Sequence, residues 1–286
     1  MTFSIAASDL DNDDGPEWGV AVASKFLAVG AVVPWARAGA GAVATQAFAN
    51  VSYGPRGLDR LARGQSAADV IRALTDGDEG RSERQLGIVD ASGDAATFTG
   101  DQCFDWAGGR IGPGFCCQGN ILTGPEVIDE MVTAFESSTG PLAHRLIAAL
   151  RAGDRAGGDK RGKQSAALLV VREAGGYGGT NDKALELRVD DHPEAAGELS
   201  RLLELHDFYF PPPGDVRLTP IDRSLADELR DRLGILGYEV AAGTGYDEGL
   251  RQALYAYSGA ENLEERWSEG AEIDLRVLEF IRRASP

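Results

Sequence analysis

Lysine, histidine and cysteine are scarce in this chain of 286 residues, and each shortage excludes a class of function. The lysines are Lys25, Lys160, Lys163 and Lys183, and the formal net charge is −17. A surface of that sign repels nucleic acid and anionic lipid, so neither is expected as a partner. Acidic, lysine-poor surfaces suit proteins that work at high salt, where screening removes self-repulsion, and a salt-loving source is expected. His144, His192 and His206 are scattered, which leaves little for a histidine-based triad. Cys103 stands well before the adjacent Cys116 and Cys117, with no CxxC pair or metal-ligand spacing, so neither metal nor cofactor is expected. No apolar run approaches a membrane span. The longest, residues 19–36, is broken by Ser24, Lys25, Gly30 and Pro34. No basic segment precedes an apolar one at the start, and a cytoplasmic location is expected.

What is present is ordinary globular material. At 43% hydrophobic and 26% charged, the chain has the makings of a proper core for one large domain with a small companion. Residues 2–7 read as a strand, 9–15 as an acidic turn without the ligand spacing of an EF-hand, and 19–24 as a buried strand. Further strand-like stretches follow at 29–34 and 39–46. The period then turns helical at 55–62 and 66–74, where Gly64 stops one helix and Ser66 with Asp69 caps the next. Residues 85–90 and 95–99 read as a hairpin, and 115–118 as another strand. Helices at 125–136 and 141–150 each open with proline, and strands at 164–172 and 185–189 follow. Runs of strands alternating with runs of helices predict an α+β fold with antiparallel sheets. A four-layer αββα sandwich over residues 1–190 satisfies that order. Residues 191–215 read as a helix and a stiff linker through Pro211-Pro212-Pro213. Residues 216–286 read as a small helical domain, with helices at 224–233, 247–257 and 274–282.

The chemistry starts at Thr2. If Met1 is removed, Thr2 carries a hydroxyl nucleophile and a free α-amine together, and the amine can take the hydroxyl proton. An α-amine has an ordinary pKa of roughly 7.7–8.0, so much of it is basic near neutrality. Three further stretches place polar groups at the edges of apolar strands: one with Ser24 and Lys25, one from Thr45 and Gln46 to Asn50, and one with Gln118, Gly119 and Asn120. The loop 157–163 gathers three positive charges and three glycines but is not a P-loop. It reads either as a solvated loop or as a positive rim for a carboxylate-bearing substrate.

The segments TFSIAA, GVAVASKFLAVGAVVPWA, ATQAFAN, QGNILTGPEV and RGKQSAALLVV, spread over residues 2–189, resemble an uncharacterised family of N-terminal-nucleophile (Ntn) hydrolases and, more distantly, proteasome β-subunits. The resemblance implies an αββα sandwich and cleavage of an amide bond in a small or peptide-like substrate. It implies Thr2 as nucleophile, Lys25 as the cation that favours the neutral amine, and Asn120 with the Gly119 N–H as oxyanion donors. Ser24, Gln46, Asn50, Gln118 and Gly119 would line the substrate site. The proteasome pattern is met only in part: Thr45 and Gln46 stand near where a third-strand lysine is expected, and its aspartate–serine pair is matched loosely by Asp159 and Ser165. The alternative is an Ntn fold kept for binding or scaffolding without turnover. Residues 229–238 and 250–257 resemble a peptidoglycan-binding helical module. Gly- and Ala-rich sheets suit subunit association, so a homo-oligomer is expected.

Overall fold

β1 (Thr2–Asp9) is built from small and apolar residues in unbroken succession, and nearly all of them are buried. A half-buried strand would alternate; an unbroken run implies cover on both faces. That is its situation in the computed structural model, which describes residues 2–286. β1 lies inside a six-stranded antiparallel sheet of order β10-β9-β2-β1-β8-β7. The other strands of this sheet are β2 (Glu17–Ser24), β7 (Gly108–Gly112), β8 (Phe115–Asn120), β9 (Ser165–Val171) and β10 (Lys183–Val189), of which β2 and β8 flank β1. A second antiparallel sheet runs β3 (Pro34–Arg37), β4 (Gly41–Ala47), β5 (Arg84–Asp90) and β6 (Ala95–Thr99).

Alternation along these strands divides the core into layers. Phe3, Ile5, Ala21, Cys117 and Leu168 share one core with α3 (Glu126–Ser137), α4 (Leu142–Arg155) and the first half of α5 (Ala195–Tyr209). Ala6, Val20, Val22, Cys116 and Ala167 face the other way and meet Ala42, Ala44 and Val89 of the second sheet. Val43, Leu86 and Ile88 on that sheet's far side pack with α1 (Tyr53–Leu61) and α2 (Ala67–Thr75). The fold is mixed α+β, with a large antiparallel sheet and, among the described residues, eight α-helices.

The chain divides into two compact units, one through Leu203 and the other from Glu204 onward. In the second, α6 (Arg223–Ile235), α7 (Glu248–Ala260) and α8 (Leu275–Ala284) enclose Leu229, Leu233, Leu250, Leu254 and Ile281. Asp222, Asp247 and Asp274 cap the three helices by accepting from first-turn N–H groups. Arg266 is fully buried among them. Its guanidinium meets Asp215 at 2.6 Å and Asp274 at 3.2 Å, and also donates to the carbonyls of Asp207 and Phe208. Among the described residues no helix is long and apolar enough to cross a membrane.

One local expectation is corrected, and two elements had not been expected. Residues 29–34 are not a strand: Val29–Ala31 form a 3₁₀ turn, entered through Ala28 in the left-handed region and held by Ser165 Oγ accepting from Val29 N at 3.0 Å. The strand begins at Pro34 instead. β7 escapes notice because three of its five residues are glycine, and pairing along β8 is what extends it. The short ribbon of β11 (Leu218–Pro220) and β12 (Glu272–Asp274) joins residues far apart in sequence, which no local pattern announces.

Candidate functional site

Thr2 opens β1, and antiparallel pairing brings the ends of three other strands to this end of the sheet. Thr2 stands opposite Asn120 at the end of β8, while Ser24 at the end of β2 stands opposite Ser165 at the start of β9. The Thr2 and Ser24 hydroxyls are 3.0 Å apart, and either could donate. Thr2 is 4% exposed, Ser24 2% and Asn120 2%. Side chains so placed have fixed rotamers, because neighbours on both sides confine them.

Beneath Thr2, between the two sheets, lies an uncharged polar network. Ser4 Oγ donates to Gln46 Oε1 at 2.7 Å and accepts from Gln118 Nε2 at 2.7 Å. The Gln46 amide donates to Gln85 Oε1 at 2.8 Å and approaches the carbonyls of Thr2 and Gln118 at 3.3 Å. Gln85 in turn donates to the Gly119 carbonyl at 2.7 Å and accepts from Asn120 Nδ2 at 2.8 Å. All these side chains are buried, so each unmade bond would cost about 1–3 kcal/mol. Gly87 makes room for the network. A Cβ there would lie 2.0 Å from Gln118 Oε1, so the second sheet must carry glycine opposite that amide.

The sheet end is closed by the loop before β9. Asp159 is buried, accepts from the backbone N–H of Lys25 at 2.8 Å, and pairs with Arg161 at 2.9 Å. Lys160 N donates to the Ile121 carbonyl, Gln164 N to the Ser24 carbonyl, and Ser165 Oγ to the Phe26 carbonyl. Asp159 and Ser165 therefore brace the turn that follows Ser24. The Lys25 ammonium is exposed and meets the Lys163 carbonyl at 3.4 Å; no hydrogen bond joins it to Thr2 among the described residues. Lys163 itself is held between Asp154 at 3.0 Å and Glu194 at 2.8 Å, and the bond to Glu194 raises its pKa above the ordinary lysine range.

The structure thus brings Thr2, Ser24, Gln46, Gln118, Gly119 and Asn120 to one place. Lys25 stands at the rim with its charge outward. Asn50 joins a neighbouring cluster instead, where its amide donates to Asp78 at 3.4 Å. Arg84 and the Tyr53 hydroxyl also donate to Asp78, and these bonds hold its carboxyl well below the usual carboxylate range. Burial, reinforced by that carboxylate, pushes the Tyr53 phenol up. Met1 lies outside the described residues.

Sequence reasoning missed Gln85, which joins Gln46 to Asn120. Its signal was a glutamine immediately before the apolar run of β5, at a position that pairs with Gln46 on β4. The cysteines contribute nothing reactive here. Burial raises the Cys103 thiol and pushes that of Cys116 up to about 12, leaving both as thiols at neutral pH.

Comparison with known proteins fits this division of the chain. Residues 2–199 match the model of a family described as a family of unknown function, DUF1028. Residues 209–281 match a model described as "Putative peptidoglycan binding domain". The chain is similar to the crystal structure of a DUF1028 protein from Silicibacter pomeroyi, with 33% identity and a TM-score of 0.65 over 72% of this chain and 86% of that one. Similarity to Anbu, an ancestral β-subunit from Yersinia bercovieri, stands at 11% identity and a TM-score of 0.31, over 74% of this chain and 98% of that one. No curated protein matches. The region that holds Thr2 and every side chain gathered around it is the region that matches DUF1028, and the chain belongs to that family.

Proposed function

We propose that the first unit is an Ntn-type amidohydrolase in which Thr2, once Met1 has been removed, attacks the carbonyl of a small or peptide-like amide. The observation that carries this reading is the placement of Thr2. Its hydroxyl is buried at the end of an interior strand, 3.0 Å from a second hydroxyl and opposite a side-chain amide. Two sheets with helical cores on their outer sides support an αββα sandwich of the Ntn kind.

In this reading the Thr2 α-amine takes the hydroxyl proton, directly or through water, as Oγ1 bonds to the carbonyl carbon. Ser24 Oγ donates to the oxygen that is losing its proton. Asn120 uses one amide hydrogen on Gln85, and its second is available to the oxyanion, with the Gly119 N–H as the assisting donor. Collapse of the tetrahedral intermediate breaks the C–N bond, and the leaving amine departs with the proton held by the α-amine. Water then cleaves the ester on Thr2 by the same steps.

Intact mass of the purified protein and turnover of an acyl-amide panel test this. Met1 is expected to be absent, and Thr2→Ala is expected to lower turnover about a thousandfold or more. Retained Met1, or equal turnover by the variant, overturns the reading and leaves the alternative of an Ntn fold used for binding.

A further inference from the structure

The lysines, so few in the sequence, are not spread evenly over the fold. Lys183 stands opposite Val171, at the end of the sheet remote from Thr2, and is paired with Glu186. The other three are at the Thr2 end: Lys25 directly follows Ser24, and Lys160 and Lys163 belong to the loop that carries Asp159. Lys163 is neutralised by Asp154 and Glu194, and Arg161 by Asp159. Lys25 and Lys160 are exposed, and among the described residues neither forms an ion pair. The two unpaired lysines of a chain with net charge −17 therefore flank the same strand ends. Unpaired positive charges at one end of a negative body attract small anions there.

Beside this rim the surface is apolar. Phe26 and Leu27 follow Lys25, Phe48 follows β4, and Phe104 precedes β7; each is at least half exposed. Phe48 and Phe104 meet edge to face with centroids 6.4 Å apart, so loops from the two sheets form one patch. Acidic residues stand near this side as well: Asp190 is paired with Arg188, Asp191 accepts from Gln164, Glu83 adjoins Phe48, and Asp101 and Asp105 belong to the Phe104 loop, yet among the described residues none of these forms an ion pair with Lys25 or Lys160.

We infer that the ligand of the Thr2 end is an amide with an apolar portion and a free carboxylate, as in an N-acyl amino acid, and that Lys25 and Lys160 receive the carboxylate. The inference rests on the reading of this end as the substrate site and adds the substrate's charge and polarity. A neutral amide would meet the apolar patch alone, and a small inorganic anion the lysines alone.

Binding to the full-length Thr2→Ala protein tests this without turnover. Calorimetric titration with N-phenylacetylglycine and with its neutral carboxamide, N-phenylacetylglycinamide, differs only in the charge. The acid is expected to bind about tenfold more tightly. Lys25→Met and Lys160→Met are each expected to weaken the acid roughly three- to fivefold and leave the carboxamide unchanged, while Lys183→Met changes neither. Equal affinity for acid and carboxamide, lysine variants without effect, or binding of neither compound overturns the inference. Charge-selective binding with no hydrolysis by the wild-type protein would sustain it while defeating the catalytic reading. Hydrolysis that ignores the carboxylate would do the reverse.

Discussion

The sheet interface of the first unit and the core of the second bury polar groups in opposite ways. The first joins its sheets through neutral amides and hydroxyls: Ser4, Gln46, Gln85, Gln118 and Asn120 exchange hydrogen bonds with no charge among them. The second closes on a charge, with the Arg266 guanidinium held by Asp215 and Asp274. Charge-assisted bonds are the stronger, but removing one partner leaves a buried ion. A unit of some 80 residues has little apolar core, so a buried ion that gathers residues 207, 208, 215 and 274 around one side chain acts as a clasp. A neutral network loses less at each site and places amide groups beside Thr2 without imposing a field on it.

The largest effect is expected at the clasp. Arg266→Met leaves Asp274 and Asp215 without their cation and should destabilise the second unit by about 3–5 kcal/mol in urea unfolding of the full chain. Gln85→Leu should follow at about 2–3 kcal/mol in the first unit, because it strands the amides of Gln46 and Asn120 and the carbonyl of Gly119. If the two variants cost the same, the contrast between charged and neutral interiors fails. Gly87→Ala should cost about 1–3 kcal/mol by driving a methyl group into the Gln118 amide. Ser165→Ala should cost about 1 kcal/mol, through loss of its bonds to Phe26 and Val29.

Acid should act on both units, through Asp78 in the first and through Asp215 and Glu228 in the second. Arg266 foremost, with Arg276, holds the Asp215 carboxyl below its ordinary range, and Arg282 with Arg232 lowers Glu228 to about 2. A carboxyl that ionises more readily in the folded state stabilises it fully above the unfolded pKa near 4, and that contribution is lost as pH falls through the folded value. The second unit should therefore lose stability between about pH 4 and 2. Arg266→Met should remove the Asp215 share, as read by far-UV ellipticity during acid titration.

The strands around Thr2 were legible because interior strands show as unbroken small and apolar runs, and α2 because Ser66 stands where a cap belongs; that Asp222, Asp247 and Asp274 cap the later helices is seen only in the structure. Asn120 and Ser24 were legible as polar residues at the ends of such runs. Gln85 was not, since a single glutamine before a strand gives no sign of what it faces across a sheet interface. Arg266 was hidden for a related reason: nothing local separates a buried arginine in an acidic, charged stretch from the solvated ones beside it. Asn50 illustrates the converse. It lies in a promising segment, yet its side chain turns to Asp78, a residue 28 positions away that no periodicity connects to it.

The interior position of β1 also sets an order of events during synthesis. β2 follows β1 closely in the chain, but the other neighbour, β8, begins only at Phe115. At the usual pace of translation β1 waits on the order of ten seconds for that edge to be covered. Thr2 is almost fully enclosed afterwards. On the proposed reading, in which Met1 has to leave, Thr2 is most open to a processing enzyme in the interval before β8 emerges. A ribosome slowed ahead of codon 115 would lengthen that interval without altering a single residue.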